Sequence, residues 1–327
     1  MKFATLPNGT LDGRLVVVSK DLSKAVDATL IAPNLLFAVQ NWQEKSADLT
    51  ALYDLLNAGK VDSAFDFDPS ICLAPLPRSP QWLDASAFTN HGKLMEQAFN
   101  TKPIPDFDTI PVMYQGASDD FQGPTADMPM PSEADGIDFE GEFGVVTTAV
   151  PMAVSDEKAA DSICLIVQIN DWSLRSFGPR EMATGFGFLQ AKPSSSFAPV
   201  AVTPDELGGA WCHGRVNMAL HVTWNDQRFG EPHGSEMNFS FPQLIAHAAR
   251  TRKLSAGCII GSGTVSNQSR DAGSACIAER RVIEKIDLGD IKTQFMRFGD
   301  KVRMQAKFDD GRDGPFGVIE QKVIANT

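Results

Sequence analysis

The chain has 327 residues, of which 43% are hydrophobic and 21% charged, an ordinary composition for a soluble globular protein with one large domain or two. Its formal net charge of −12 disfavours a polyanionic partner, so we expect no nucleic-acid partner. We find no apolar run of about 18–20 residues for a membrane helix and no apolar core of a signal peptide. The sequence therefore predicts a cytoplasmic protein without a membrane partner.

The cysteines indicate a reducing environment. The chain has five, an odd number, and none of them forms a C-x-x-C pair. This pattern favours free thiols over a disulfide framework or a zinc site. We expect all five to be small buried residues: Cys72, Cys164, Cys212, Cys258 and Cys276.

Residues 1–75 are predicted to form a small N-terminal domain. Short strands are predicted for residues 14–19 and 29–32, and apolar residues at helical spacing predict an amphipathic helix over 47–58. The following segment, 69–80, is rich in proline, which prevents a continuous helix or a central strand. We place the domain boundary there, so that the second domain covers residues 76–327.

The next candidate residues are an aspartate and a histidine. Asp84 and His91 are seven residues apart, a spacing that would place them on one face of a helix, two turns apart. A single aspartate is commonly a helix cap and a single histidine is commonly structural. The pair becomes informative only together with other carboxylates.

A pair of glutamates in the segment IDFEGEF, residues 137–143, provides those carboxylates. Apolar, β-prone residues surround Glu140 and Glu142, and in a strand residues i and i+2 point to the same face. Two unpaired carboxylates buried side by side repel each other, whereas a hard divalent cation would stabilise them. A solvated strand face is the simpler explanation for an isolated E-x-E sequence.

Three later segments add polar groups. Asp171 comes just after the buried strand predicted for residues 162–169, at a strand end where site residues commonly lie. Lys192 is an isolated cation in a Phe/Gly/Ser-rich segment. The predicted strand over 259–266 contains two glycines, which indicates that its backbone approaches another group closely.

Together these segments supply a candidate metal site made only of oxygen ligands. Such a site suits Mg²⁺, Mn²⁺ or Ca²⁺ and does not suit zinc. The members of the site are Asp84, Glu140, Glu142 and Asp171. Their formal charge of −4 would require a bound cation or protonation.

With these residues in place, the sequence resembles the fumarylacetoacetate hydrolase family from about residue 80 to about residue 310. The resemblance is carried by Asp84 with His91, PVMYQG with Tyr114, IDFEGEF, INDWSLR with Asp171 and Arg175, Lys192, and GSGTVS with Thr264. It implies an α+β, mostly β fold, a mixed β-sandwich roll of the fumarylacetoacetase C-terminal type preceded by a small N-terminal β domain. It also implies a homodimer.

The resemblance further implies a reaction and a role for each residue. The four carboxylates would bind a divalent cation, with Mg²⁺ as the first choice and Ca²⁺ or Mn²⁺ as alternatives. His91 would be the general base, oriented by Glu279, while Lys192 and Arg175 would stabilise an oxyanion. Tyr114, Arg175, Lys192 and Thr264 would bind the substrate. That substrate would be a 1,3-diketo acid whose carbon–carbon bond is hydrolysed, first of all fumarylacetoacetate from aromatic amino-acid breakdown.

Alternative functions remain open at this stage. Acylpyruvates such as fumarylpyruvate are alternative substrates, and the same family contains oxaloacetate decarboxylases and isomerases. A non-catalytic cation-binding protein is a further alternative. The sequence also departs from the family's hydrolases, since Gly178 replaces a glutamine, and Lys192 comes one residue later after Asp171.

Overall fold

A computed structural model describes residues 1–99 and 102–326 of the chain. Its strands, in chain order, are β1 (Lys2–Leu6), β2 (Arg14–Val18), β3 (Lys24–Asp27), β4 (Phe65–Asp66), β5 (Trp82–Ala85), β6 (Met113–Gly116), β7 (Met128–Met130), β8 (Ile137–Asp138), β9 (Gly141–Thr147), β10 (Ile163–Asn170), β11 (Ser173–Leu174), β12 (Ser196–Phe197), β13 (Ala201–Val202), β14 (Trp211–Cys212), β15 (Arg215–Val216), β16 (Ala219–Trp224), β17 (Gln227–Gly230), β18 (Ile259–Gly261), β19 (Lys301–Lys307) and β20 (Ile319–Ala325).

Its α-helices are α1 (Leu35–Gln40), α2 (Trp42–Asn57), α3 (Thr89–Phe99), α4 (Asp156–Ala159), α5 (Gly178–Thr184), α6 (Phe241–Ala248) and α7 (Ile277–Leu288). Short 3₁₀ segments cover Pro69–Ile71, Glu133–Asp135, Ala160–Ser162, Pro204–Ala210, Gly234–Glu236 and Arg270–Ala272. Within the described residues, no helix is long and apolar enough to cross a membrane.

The largest sheet has eleven strands and runs through both parts of the chain. Ten of them lie side by side in the order β4-β3-β2-β1-β13-β10-β9-β18-β5-β6, and β12 pairs with β10. β5 and β18 are parallel, whereas β9 is antiparallel to both β10 and β18, so the sheet is mixed. Because β1 pairs with β13, the N-terminal strands continue the sheet of the later part. The division into domains 1–75 and 76–327 stays a prediction.

A second sheet packs against the first. Its five strands lie in the order β17-β16-β19-β20-β7. The larger apolar core joins the two sheets, with Phe143 of β9, Leu220 of β16 and Met304 of β19 all buried. A second core lies on the N-terminal strands, where Leu15 of β2 is buried together with Leu49 of α2. The predicted α+β, strand-rich fold class is confirmed.

The contact between the sheets explains the glycine between the two glutamates. A Cβ atom on Gly141 would lie 2.7 Å from Cδ2 of Leu220 and 3.4 Å from Sδ of Met304. Side chains alternate along a strand, so residue 141 faces the second sheet while its neighbours face the other side. The E-G-E spacing therefore reflects close packing on one face and polar groups on the other.

Three sequence-based predictions are wrong in detail. Residues 29–32 form turns, because the Asp27 carboxylate accepts hydrogen bonds from the backbone and hydroxyl of Thr29 and ends β3. Asp84 and His91 do not share a helix. Asp84 lies in strand β5, which pairs with β18 and β6, whereas His91 lies in α3, which begins at Thr89. All five cysteines are free, but Cys212 is only partly buried.

Candidate active site

Five neighbouring strands of the large sheet bring the predicted polar residues together. Across the sheet these strands follow one another in the order β10, β9, β18, β5 and β6. Asp171 comes directly after β10, while Glu142 lies in β9, Asp84 in β5 and Tyr114 in β6. Asp84 lies opposite Gly261 on one side and opposite Tyr114 on the other. Sheet topology therefore gathers residues that are far apart in the sequence.

Three carboxylates form a compact, buried cluster. One ligand oxygen from each of Asp84, Glu142 and Asp171 lies within 4.8 Å of the others. Burial, followed by the charge of Asp84, raises the pKa of Glu142 well above its usual range. Among the described residues, Oε1 of Glu142 is buried without a hydrogen-bond partner. An unpartnered buried oxygen and three mutually repelling carboxylates fit a hard divalent cation, whose preferred ligands are carboxylate oxygens.

A tight turn after β18 holds two of these carboxylates. The backbone N–H of Gly263 donates to Oδ1 of Asp84 at 3.0 Å and to Oε2 of Glu142 at 3.1 Å. Gly263 has a φ of +76°, and a Cβ atom there would lie 2.2 Å from the carbonyl oxygen of Ala85. Glycine is required for both reasons. This is the close backbone approach that the two glycines of the segment predicted.

Lys192 is a buried cation next to the cluster. Its Nζ lies 2.5 Å from Oδ2 of Asp171 and 2.8 Å from Oε1 of Glu140. Burial alone would lower its pKa, but the charges of Asp171 and Glu140 outweigh burial and raise the pKa of Lys192 above its usual value. Asp171 also accepts hydrogen bonds from the Tyr114 hydroxyl and the Ser195 hydroxyl, each at 2.6 Å.

Glu140 is not one of the three clustered carboxylates and is paired with cations, one of which also contacts Asp171. Nη2 of Arg175 lies 2.9 Å and Nζ of Lys192 2.8 Å from its Oε1 atom. Burial would raise the pKa of Glu140, but these two cations hold it well below its usual range. The Ser173 hydroxyl donates to Oε1 at 2.6 Å, and the Thr264 hydroxyl donates to Oε2. Glu140 is therefore ionised.

His91 and Glu279 form a hydrogen-bonded pair between two helices. Nδ1 of His91 in α3 lies 2.8 Å from Oε2 of Glu279 in α7. Glu279 is fully buried, whereas the His91 side chain retains 17% exposure. Cys276, which caps α7, lies opposite Glu140 in an isolated antiparallel bridge. The helix that carries Glu279 therefore begins beside Glu140.

The structure thus brings the predicted site residues into one region, and it adds several that sequence reasoning missed. The additions are polar residues that hold the predicted ones: Asp138, Ser173 and Ser195. Asp138 lies inside IDFEGEF, so its position in that segment was a usable signal. Gly178 is the first residue of α5, and a Cβ atom there would meet nothing within 4 Å.

The burial of Asp84 predicts how the stability of the metal-free protein depends on pH. Burial, followed by the charge of Asp171, raises the pKa of Asp84 from 3.8 to about 8. Folding therefore favours the protonated form, and this contribution to stability is complete below about pH 4 and lost as the pH rises through about 8. We expect the denaturant midpoint of metal-free protein to fall between about pH 5 and about pH 9, and Mn²⁺ to restore it at the higher pH. A midpoint that rises over this interval would contradict the assignment.

Two family models match the chain. Residues 81–324 match the model described as fumarylacetoacetate (FAA) hydrolase C-terminal, and residues 1–78 match fumarylacetoacetase N-terminal domain 2. Among curated proteins, 2,4-didehydro-3-deoxy-L-rhamnonate hydrolase of Sphingomonas sp. (strain SKA58) is 29% identical over 165 residues, 50% of this chain and 54% of that protein. The chain spans 46% to 63% of the length of the curated relatives that it matches.

Solved structures share the fold at low sequence identity. Fumarylacetoacetate hydrolase from Exiguobacterium antarcticum superposes with a TM-score of 0.66 at 18% identity, and 100% of each chain is covered. Maleylpyruvate hydrolase from Sphingobium sp. SYK-6, in complex with manganese(II) and pyruvate, gives a TM-score of 0.65 at 14% identity, again with 100% of both chains covered. At these identities the likeness shows the fold alone.

Proposed function

Because the chain belongs to the fumarylacetoacetate hydrolase family, we propose that it is a metal-dependent hydrolase of 1,3-diketo acids. The first substrate that we propose is fumarylacetoacetate, cleaved to fumarate and acetoacetate. One observation carries the choice of hydrolysis: Nδ1 of His91 lies 2.8 Å from Oε2 of Glu279, and Glu279 is carried by a helix that begins beside Glu140. A paired imidazole is the group that removal of a proton from water requires.

Asp84, Glu142 and Asp171 would hold the cation, and we propose Glu140 as a fourth ligand. Mg²⁺ is our first choice, with Mn²⁺ and Ca²⁺ as alternatives, because all three prefer carboxylate oxygens. When bound, the cation would supply a Lewis acid and a template for the two oxygens of a diketone. A structural neighbour that contains manganese(II) and pyruvate supports a divalent cation without favouring Mg²⁺.

The protein's own groups would carry out the proton transfers. Glu279 holds Nδ1 of His91, so the opposite ring nitrogen is left to take a proton from water. The water oxygen adds to one carbonyl carbon, and the resulting tetrahedral oxyanion collapses. The bond from that carbon to the methylene between the two carbonyls breaks, and its electron pair forms an enolate. Protonation of the enolate at carbon gives the second product.

We propose that two cations, Lys192 and Arg175, stabilise the oxyanion. Both contact Glu140; Lys192 is buried, whereas the Arg175 side chain retains 24% exposure. Electrostatic stabilisation is strongest where water is excluded, as it is around Lys192. We propose Tyr114 and Thr264 as substrate-binding groups in addition, because their hydroxyls contact the carboxylates of the site.

Acylpyruvates are the second candidate substrates. The Sphingomonas relative is named as a hydrolase of a sugar acid that is oxidised at positions 2 and 4, the same 1,3 relation between carbonyl carbons. A fumarylpyruvate-type substrate differs from fumarylacetoacetate in the position of its carboxylate and leaves the chemistry unchanged. We also propose a homodimer, as the family resemblance implies, and a cytoplasmic location stays a prediction.

The experiment is a substrate panel. Metal-loaded protein is incubated with fumarylacetoacetate, acylpyruvates and oxaloacetate, and loss of the diketone absorbance is followed together with product formation. We expect hydrolysis of at least one diketo acid that depends on the cation. Turnover of oxaloacetate alone, or isomerisation without cleavage, would overturn the proposal in favour of the decarboxylases or isomerases of the family.

A further inference from the structure

The buried carboxylate of Asp138 joins three parts of the candidate site. Asp138 lies in β8 and has no solvent exposure. Its Oδ1 accepts from the backbone N–H of Ile277 at 2.7 Å, and its Oδ2 accepts from the N–H of Ala278 at 2.9 Å. Nε of Arg175 donates to the same Oδ2 atom at 2.8 Å. One carboxylate therefore receives three donors from two separate elements.

The hydrogen bond between Asp138 and Arg175 controls where the Arg175 guanidinium lies. Nε is bound to Asp138, and Nη2 of the same planar group lies 2.9 Å from Glu140. The Arg175 backbone is held just before the start of β8, since its N–H donates to the Gly136 carbonyl at 3.0 Å. The Nε contact with Asp138 is the hydrogen bond of this group, whereas Nη2 meets Glu140 as an ion pair only, so Asp138 sets the direction in which Arg175 points.

The second connection controls the first turn of α7. The amides of Ile277 and Ala278 have no partner within the helix, and Asp138 satisfies both. Glu279 follows directly and holds His91 at 2.8 Å. A shift of this turn therefore moves the carboxylate that orients the imidazole.

We propose that Asp138 is a positioning residue that fixes the oxyanion-stabilising Arg175 and the His91–Glu279 pair relative to each other. The proposal rests on the proposed function, because it assigns Arg175 and His91 their parts in the reaction. Asp138 itself has no exposed surface, and its carboxylate contacts Arg175 and α7. Its contribution is the geometry of the two groups that act on the substrate.

The test begins with Asp138→Asn. Asparagine keeps the shape but directs an N–H₂ group toward one set of donors, and it removes the charge that pairs with Arg175. We expect kcat to fall about 100-fold, the loss that a displacement of about 1 Å can cause, with KM much less affected. Mn²⁺ affinity, measured by calorimetry, is expected to stay unchanged because Asp138 lies outside the three-carboxylate cluster. An unchanged kcat in the folded variant would overturn the proposal.

A double-mutant cycle separates positioning from general destabilisation. If Asp138 acts through Glu279, the losses in kcat for Asp138→Asn and Glu279→Gln should be far from multiplicative when the two changes are combined. Multiplicative losses would show that Asp138 has only a structural role. Asn34→Ala is the control, since it removes the cap that binds the Phe37 amide of α1, in the N-terminal part of the chain. That variant should lose thermal stability and keep its kcat.

A second variant and a hydrogen-exchange measurement keep the test informative if Asp138→Asn does not fold or if no substrate is cleaved. Asp138→Glu keeps the charge but lengthens the side chain, so it replaces the asparagine variant if that variant does not fold, and it should also lose kcat. Hydrogen exchange of the Ile277 and Ala278 amides needs no substrate and should accelerate in both variants but not in Asn34→Ala. If the wild-type protein cleaves no diketo acid, the proposed function fails, while these exchange rates still decide whether Asp138 holds α7.

Discussion

Replacing Glu142 with glutamine is expected to abolish both cation binding and turnover. Glu142 lies in the middle of the cluster with Asp84 and Asp171, and its Oε1 atom has no partner in the described part of the chain. The neutral amide removes one negative charge and offers a weaker ligand oxygen. Groups that only support a metal ligand cost about 10- to 100-fold in affinity when lost, so a direct ligand should cost at least about 100-fold.

The same variant should be more stable than the wild type when no metal is present. Burial, followed by the charges of Asp84 and Asp171, raises the pKa of Glu142 and so disfavours its ionised form, and a neutral glutamine avoids this cost. Calorimetric titration with Mn²⁺ measures the loss of affinity. Thermal unfolding without and with Mn²⁺ measures the gain in metal-free stability and the loss of metal-dependent stabilisation. Glu284→Gln is the matched control. Glu284 lies in α7, accepts a hydrogen bond from the Thr293 hydroxyl and does not belong to the cluster. Metal-dependent stabilisation that persists in Glu142→Gln would contradict the assignment.

Replacing His91 with asparagine is expected to remove turnover while leaving the cation in place. General-base catalysis by a positioned imidazole contributes about 10²- to 10⁴-fold, so kcat should fall by that factor. The asparagine amide can still donate to Glu279, so the contact between α3 and α7 should largely survive. Mn²⁺ affinity should equal that of the wild type, since the metal cluster does not include His91.

His247→Asn is the control for this prediction. His247 lies in α6 and is half-buried like His91, but it has no place among the residues of the site. That variant should keep its kcat and its Mn²⁺ affinity. If His91→Asn retains full turnover of a diketo acid, another group must activate the water, and the part assigned to the His91–Glu279 pair is wrong.

Much of the site could be predicted because short segments carry its chemistry. IDFEGEF places Glu142 in a strand, the apolar run before Asp171 forms β10, and the glycines of the 259–266 segment mark a close backbone approach. Those features depend on local alternation and on glycine geometry, which a sequence displays directly. These motifs also carry the resemblance to the fumarylacetoacetate hydrolase family, which implied the strand-rich fold class, and both the family and the fold class are confirmed.

What the sequence did not reveal depends on contacts between distant segments. The spacing of Asp84 and His91 suggested a helix, yet pairing of β5 with β18 and β6 makes the first of them part of a sheet. The pairing of Glu140 with Lys192 and Arg175 also joins distant segments of the chain. The role that we infer for Asp138 likewise depends on the position of α7, more than 130 residues further along the chain.

A crystal of the protein soaked in Mn²⁺, with anomalous scattering recorded, tests the central claim most directly. The account predicts one strong anomalous peak between the carboxylates of Asp84, Glu142 and Asp171. The same crystal of Glu142→Gln should show that peak lost or greatly weakened. A manganese ion bound elsewhere, or no peak at a concentration that supports turnover, would contradict the account.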